Sequence, residues 1–358
     1  MGHRTHRSNE DQRRATRAGG RTGRPWHAAR VRVKKRASAP RRHERAGAMM
    51  RAFGGRAFDV SERAQPLRRR AVLVLVLFAL ASSCHRAPHA QRQVAATVFP
   101  LYDIAQRVAG DRLQVRLILQ PGLDPHEYEP RPHDIAGLAD ADLIFAVGLG
   151  LDPWAQRLAR AAGAGEARVF EIGPLMDPIL APAGVVRKEP LVDAHFWTDP
   201  IRALRAVDVT VEALSNLDPG GGPFYRERGQ ELRRSIEVVH AGILRGAATW
   251  RRRRIVTFHG SLFYFAARYG IEVVGVVQPV PGAEPPPQHI TAITALLRGP
   301  DAAALFSEPQ LDPQLARALA RETGAVVHEV DPMGGAPRAA SYEELVRRIA
   351  HAMDEALR

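Results

Sequence analysis

From residue 93 onward, short apolar runs rich in β-branched residues alternate with amphipathic stretches of helical period, and this alternation limits the folds open to the chain. A strand, a helix and another strand in succession are typical of parallel sheets with crossover connections. The first series of predicted strands covers 93–98, 114–119, 142–147 and 168–172, and the second covers 254–258, 272–277, 302–306 and 325–330. We therefore predict an α/β fold of two similar lobes, each with a four-stranded parallel sheet flanked by helices.

A single long helical segment separates the two series. Residues 224–247 place four apolar side chains on one face of a helix, namely Leu232, Ile236, Val239 and Ile243. The string DPGGG at 218–222 interrupts the chain just before this segment. A helix of about 24 residues is about 36 Å long, enough to join two lobes along their length. We predict an N-terminal metal-binding lobe at 93–217, a rigid linker helix at 222–248 and a C-terminal metal-binding lobe at 249–358.

Positive charge is concentrated at the start of the chain. Residues 1–70 contain 21 Lys or Arg and 5 Asp or Glu, whereas residues 71–358 contain 30 and 33. Because the remainder of the chain is slightly acidic, a nucleic-acid partner has no electrostatic support there. Residues 1–70 lack the apolar residues of a core, which predicts a disordered basic leader. An over-extended reading frame with the natural start at Met49 or Met50 explains it most simply; an RNA- or lipid-binding arm is the alternative.

An export signal follows this leader. The string RRR at 68–70 precedes the uncharged run AVLVLVLFALASS, and Cys84, the only cysteine, comes directly after it. This order at 71–84 is typical of a signal peptide, and the run is too short to span a bilayer. The small residues before Cys84 also resemble a bacterial lipobox. We predict export to the periplasm or cell envelope with a lipid anchor at Cys84; cleavage without an anchor is the alternative.

Three histidines and one aspartate occupy strings suited to presenting a metal ligand. They are His126 in DPHEYEP, His195 in DAHFWTDP, His259 in TFHGSLF and Asp331 in VHEVDPMGG. Gaps of 69, 64 and 72 residues exclude a local finger-like clip and indicate a site assembled between folded units. His126, His259 and Asp331 follow predicted strands, and the carboxyl ends of parallel strands converge on one crevice. Three neutral imidazoles and a carboxylate complete a tetrahedral shell for a cation such as zinc.

Neighbouring polar residues leave alternatives open. Asp331 precedes a proline, and an aspartate in that position often only initiates a turn. Glu308, also at a predicted strand end, is either a supporting partner or a spare ligand. His289 follows a proline-rich loop that could cover the cleft. The remaining histidines of this part of the chain are predicted to lie outside the ligand set: His133, His240, His328 and His351.

The strings around these residues extend into longer motifs. They are DPHEYEPRPHDI at 124–135, DAHFWTDP at 193–200, FHGSLFYFAARYG at 258–270, SEPQ at 307–310 and DP at 331–332. In order and spacing they resemble the zinc/manganese family of ABC-transporter solute-binding proteins, over roughly residues 93–358. The resemblance implies two α/β lobes joined by one rigid helix, with a metal ion between them and no enzymatic step. It also implies His126, His195, His259 and Asp331 as the metal ligands.

The third histidine bears on which metal the resemblance implies. Members of the family with histidine at the position of His259 favour zinc, and members with glutamate there favour manganese. Two features depart from the zinc members: residues 134–194 contain no histidine, where some have a His-rich loop, and Gly260 stands where aspartate is common. The resemblance implies Zn(II) as the transported ligand, with Mn(II) or iron as the alternative.

Metal capture for transport is the function that these observations favour, with an ABC permease in the inner membrane as the partner of a monomeric protein. A zinc hydrolase would need an open coordination position and a general base. The string HEYEP at 126–130 is not HExxH, and 71–358 contains no G-x-S-x-G string. A surface adhesin of the same fold is a third alternative, and no particular residue supports it.

Overall fold

The computed structural model describes residues 92–163, 168–181, 191–299, 301–335 and 338–358. The predicted leader at 1–70, the signal peptide at 71–84 and the anchor residue Cys84 lie outside the described residues. In the part of the chain that the structure describes, none of the helices combines the length and apolar character that a bilayer crossing requires.

The first parallel sheet lies in the N-terminal half of the described chain. Its elements follow in the order β1 (Gln93–Ala96), α1 (Phe99–Ala109), β2 (Gln114–Leu117), α2 (Pro132–Gly137), β3 (Ala141–Ala146), α3 (Trp154–Ala161) and β4 (Val169–Glu171). The strands are ordered β2-β1-β3-β4 and every pairing is parallel. Consecutive residues Val94, Ala95 and Ala96 are all buried, as expected for a sheet covered by helices on both faces.

The second parallel sheet repeats this arrangement. Its elements are β7 (Arg254–Thr257), α6 (Phe263–Tyr269), β8 (Glu272–Val276), α7 (Pro287–Leu296), β9 (Ala304–Ser307), α8 (Pro313–Thr323), β10 (Val327–Glu329) and the closing helix α9 (Tyr342–Leu357). The strand order β8-β7-β9-β10 matches that of the first sheet, and the pairings are again parallel. The predicted α/β architecture of two similar four-stranded sheets is confirmed.

A short antiparallel strand pair and a capped helix lie between the first sheet and the next long helix. Strands β5 (Leu180–Ala181) and β6 (Leu191–Val192) pair antiparallel; they were not predicted, because two-residue strands leave no alternating pattern. Helix α4 (Pro200–Leu217) follows. It begins there because Asp199 accepts a hydrogen bond from the backbone N–H of Ile201, and because Pro200 already has the backbone angle of a first helical turn.

The long helix α5 (Gly222–Ala247) lies where a long helix was predicted. Its apolar stripe of Leu232, Ile236, Val239 and Ile243 is buried as expected, and burial of each such side chain contributes roughly 1.5–3 kcal/mol. The helix packs against α1, α4 and α9. It therefore contacts helices that accompany both sheets.

Candidate metal centre

The three predicted histidines lie together in the folded chain. His126, His195 and His259 each offer a ring nitrogen, and these donor atoms all lie within 4.8 Å of one another. The ring centroids are 5.5 Å apart between His126 and His195, and 4.9 Å apart for each of the other two pairs. Small adjustments of the rings would bring the three nitrogens to the distance at which imidazoles bind one zinc ion, about 2.0–2.1 Å from the metal.

His126 is held by the loop that follows β2. Its backbone N–H donates to Asp124 Oδ1 at 2.8 Å, and Trp154 Nε1 donates to the Pro125 carbonyl at 2.9 Å, which fixes the loop against α3. Nε2 of His126 is shielded from solvent and has no hydrogen-bond partner among the described residues. Burial, reinforced by His195 and His259, lowers the pKa of His126 to about 2. The ring is therefore a neutral donor aimed at its two neighbours.

His195 is buried just after β6, at the start of the short 3₁₀ turn Phe196–Thr198. Its Nδ1 lies 2.8 Å from Asp193 Oδ1, and the same carboxylate oxygen accepts the backbone N–H of His195 at 2.9 Å. A carboxylate at Nδ1 holds the proton on that nitrogen and leaves Nε2 for a metal. Asp193 therefore selects the tautomer of the second histidine.

His259 lies two residues beyond the end of β7 and meets a carboxylate that follows the neighbouring strand β9. Its Nδ1 lies 3.5 Å from Oε1 of Glu308, and Ser261 Oγ donates to the same oxygen at 2.7 Å. Burial by itself would lower the pKa of His259, but the carboxylates of Glu308, Asp124 and Asp193 together outweigh burial and raise it. Burial would likewise raise the pKa of Glu308, yet His259 and the hydroxyl of Ser261 outweigh burial and lower it. Glu308 is therefore a buried carboxylate anion behind the third ring.

Asp331 lies just beyond β10, but outside the group of three ring nitrogens. Its Oδ1 accepts hydrogen bonds from Gln310 Nε2 at 2.7 Å and from the backbone N–H groups of Met333 and Gly334 at 2.9 and 3.0 Å. Its Oδ2 accepts the N–H of Gly335 at 2.7 Å. In this conformation the carboxylate organises the turn that follows it, as an aspartate before proline often does.

Two cavities adjoin the three rings. The smaller, of about 10 Å³, is lined by the histidines together with Glu308 and Gln310, and its volume is roughly that of one water-sized particle. The larger, of about 190 Å³, touches the same rings and is walled mainly by apolar side chains such as Leu149 and Phe263. The three donors thus surround a space for a single ion, with an apolar chamber beside it.

Comparison with known proteins shows the family to which the chain belongs. The family model described as zinc-uptake complex component A, periplasmic (ZnuA), matches residues 94–356. The chain belongs to this family. The matched range contains the three histidines as well as Glu308 and Asp331.

Curated relatives in the ZnuA family differ in the metal that they are named for. The manganese-binding lipoprotein MntA of Halalkalibacterium halodurans is 28% identical over 228 residues, which are 63% of this chain and 73% of MntA. The zinc-binding lipoprotein AdcA of Streptococcus pneumoniae is 24% identical over 267 residues, which are 72% of this chain. The match spans only about half of AdcA, 53% of its length.

A solved structure shows the same architecture. The laminin-binding protein Lmb of Streptococcus agalactiae, described as a bifunctional protein with adhesin and metal transporting activity, is 27% identical. It superposes with a TM-score of 0.65, over 75% of this chain and 100% of that structure. The predicted family resemblance is confirmed. The names of these relatives refer to manganese binding, zinc binding and adhesion.

The other residues considered from sequence have distinct places. His289 Nε2 lies 2.7 Å from the Val276 carbonyl, at the start of α7, and it is not part of the histidine group. The side chain of His133 is 67% exposed.

Sequence reasoning missed Asp193 as the partner of His195. The signal was present in the spacing Asp-x-His, because a carboxylate two residues before a histidine can reach its Nδ1 when the chain turns between them.

Proposed function

We propose that this protein is the extracytoplasmic solute-binding component of an ABC transporter, which captures a divalent metal ion and delivers it to a membrane permease. The observation that carries the proposal is the convergence of three imidazoles on a space for one ion, with Nε2 of His126 buried and without a hydrogen-bond partner in the described part of the chain. A buried polar atom without a partner is costly, and a metal ion would satisfy it. Membership of the ZnuA family supports the same role.

Zinc is the proposed cargo, with manganese or iron as the alternative. Neutral imidazoles suit zinc, whereas manganese prefers carboxylates, carbonyls and water. The carboxylates of Asp193 and Glu308 lie behind imidazole Nδ1 atoms, at 2.8 and 3.5 Å. Their position supports a histidine-dominated coordination shell.

Asp331 is the proposed fourth ligand, as the family motif implies. To bind the ion its carboxylate must give up part of its contact with Gln310 and the turn at 333–335. Three histidines and one aspartate would give a closed tetrahedral shell, which retains a metal but leaves no position for a reacting water. We therefore propose capture and release without catalysis.

The remaining partners are proposed on the same basis. An exported solute-binding protein meets its permease at the membrane, so we propose that the mature protein is a monomer that docks there. A lipid anchor at Cys84 would hold it close to the permease.

Calorimetric titration of the purified protein with Zn(II) and Mn(II) tests this function. We expect tight binding of one Zn(II) per chain, weaker binding of Mn(II), and a loss of at least about 100-fold in Zn(II) affinity (about 2.7 kcal/mol) for His126→Ala, His195→Ala or His259→Ala. The exposed His133 provides the matched control, because His133→Ala should bind Zn(II) like the unchanged protein. Wild-type affinity in all three histidine variants would refute the assigned site.

A further inference from the structure

Glu308 is placed behind His259 by the register of the second sheet. Strands β7 and β9 are paired so that Thr257 lies opposite Phe306. The residues that follow these strands, His259 and Glu308, are thereby brought to the same sheet edge. Glu308 is only 7% exposed, so its charge acts at short range with little solvent screening.

The Glu308 carboxylate is held by Ser261 and lies next to the ring of His259. Ser261 Oγ donates to Oε1 at 2.7 Å, and the 3.5 Å separation from His259 Nδ1 is an ion-pair contact, longer than the range of about 2.7–3.2 Å for an N–H···O hydrogen bond. A metal ion on Nε2 would withdraw electron density from the ring and make Nδ1–H a stronger donor. The contact is therefore expected to tighten when the site is filled.

A second buried carboxylate is arranged in the same way. Asp193 is 5% exposed and lies 2.8 Å from His195 Nδ1. Two imidazoles of the site are thus backed by two carboxylates, one of which reaches its histidine across 49 residues of sequence.

We propose that Glu308 is a positioning residue of the metal site: it accepts the Nδ1–H of His259, directs Nε2 toward the ion and offsets part of the ion's charge. Removal of such a partner typically weakens metal binding by about 10–100-fold. Glu308 acts through His259, so its effect depends on that ring being present. The inference rests on the proposed function, because it requires that the histidines bind a metal.

The test is a Zn(II) titration of the purified protein carrying Glu308→Gln, which keeps the shape of the side chain and removes its charge. We expect affinity to fall by about 10–100-fold. The matched control is Glu343→Gln: Glu343 is also buried, 5% exposed, but is paired with Arg107 at 2.5 Å and belongs to α9. Its replacement should leave Zn(II) affinity unchanged.

A double-variant cycle separates positioning from a general structural effect. In a His259→Ala background, Glu308→Gln should change the residual Zn(II) affinity by less than about threefold, because the ring through which it acts is gone. An equal loss in both backgrounds would overturn the proposal. So would wild-type affinity of the single Glu308→Gln variant.

Ser261→Ala covers the case in which Glu308→Gln does not fold. It removes the hydroxyl that holds the carboxylate, and we expect a smaller loss, of several-fold, in the same direction. Unchanged affinity in a folded Ser261→Ala protein would then overturn the proposal. Failure of the unchanged protein to bind any metal would refute the proposed function itself, and the two failures are therefore distinguishable.

Discussion

The two sheets share one strand order but contribute to the histidine group from different positions. The first sheet supplies His126 from the loop after its edge strand β2, whereas the second supplies His259 two residues after its central strand β7. Glu308 and Asp331 follow β9 and β10 of the second sheet. The comparison shows that topology determines which end of a sheet carries the chemistry, because carboxyl ends of parallel strands face a common crevice. The loops determine which strand delivers a ligand.

The third histidine modifies this comparison. His195 belongs by sequence to the predicted N-terminal lobe, yet its segment is fastened to elements that accompany the second sheet. The contacts are Trp197 Nε1 to the Pro332 carbonyl at 2.7 Å, Tyr342 Oη to the Trp197 carbonyl at 2.7 Å, Tyr264 Oη to the Asp193 carbonyl at 3.1 Å, and Arg268 to both oxygens of Asp199 at 2.8 Å. The segment of His195 is therefore held by elements that accompany the second sheet, the sheet that also carries His259. The loop of His126 is held instead by α3 of the first sheet.

Breaking the ion pair between the His195 segment and α6 should have the largest effect on stability. Asp199 is fully buried, accepts two hydrogen bonds from Arg268, and also binds Arg202 at 2.7 Å. Asp199→Ala leaves two arginines without their carboxylate and removes the cap of α4. We expect a loss of about 3–5 kcal/mol in the free energy of unfolding, measured by urea denaturation.

Another aspartate on α4 provides the control. Asp208 pairs with Arg233 at 2.6 Å, but its side chain is 61% exposed. Asp208→Ala should cost no more than about 0.5 kcal/mol. Equal losses of unfolding free energy in the two variants would mean that the contacts of Asp199 contribute no more than an exposed ion pair. The His195 segment would then not be held to α6 by Asp199.

The contribution of the second sheet to coordination is tested at Asp331. Asp331→Asn keeps an oxygen that can accept the N–H groups of Met333 and Gly334, but it removes the negative charge. If the carboxylate completes the shell, Zn(II) affinity should fall by at least about tenfold, or about 1.4 kcal/mol. Calorimetry on the folded variant measures this. Unchanged affinity would limit the contribution of this sheet to His259 and show that Asp331 serves only its turn.

Much of the architecture was predictable because it depends on local patterns. The strand and helix alternation predicted both sheets, and the apolar stripe of Leu232, Ile236, Val239 and Ile243 predicted the long helix. The convergence of His126 and His259 was predicted from their positions after predicted strands, and that of His195 from the motif in which it lies.

Contacts that depend on strand register and on loop paths were not predictable in the same way. The pairing of Glu308 with His259 requires β7 and β9 to be neighbours in register, and no local pattern encodes that. The attachment of the His195 segment to Pro332 and Tyr342 joins parts of the chain more than a hundred residues apart. The turn bonds of Asp331 involve backbone N–H groups whose direction only the folded loop defines.

The smallest expected effect concerns the attachment of the closing helix α9, which follows the second sheet, to α1 of the first sheet and to the long helix α5. Glu343 pairs with Arg107 of α1 at 2.5 Å and accepts a hydrogen bond from Ser235 of α5. Burial alone would raise the pKa of Glu343, but Arg107 and Ser235 outweigh it and lower the pKa below 4.5. The stabilisation that the Glu343 carboxylate contributes is therefore fully present above pH 4.5, the pKa of an ordinary glutamate. It is lost as the pH falls through the lower pKa of the folded state.

Glu343→Gln tests this attachment by its dependence on pH. Because Arg107 is one-third exposed, we expect a loss of only about 1–2 kcal/mol at pH 7, measured by urea denaturation. The difference from the unchanged protein should shrink as the pH is lowered from 5 toward 3, since protonated Glu343 then resembles glutamine; nearby Asp103, whose pKa is raised by burial, is present in both proteins. Glu355→Gln, at an exposed position of the same helix, should stay within about 0.5 kcal/mol at every pH. If the difference in unfolding free energy between Glu343→Gln and the unchanged protein stays constant with pH, then the shape of the side chain, not its charge, attaches α9 to α1 and α5.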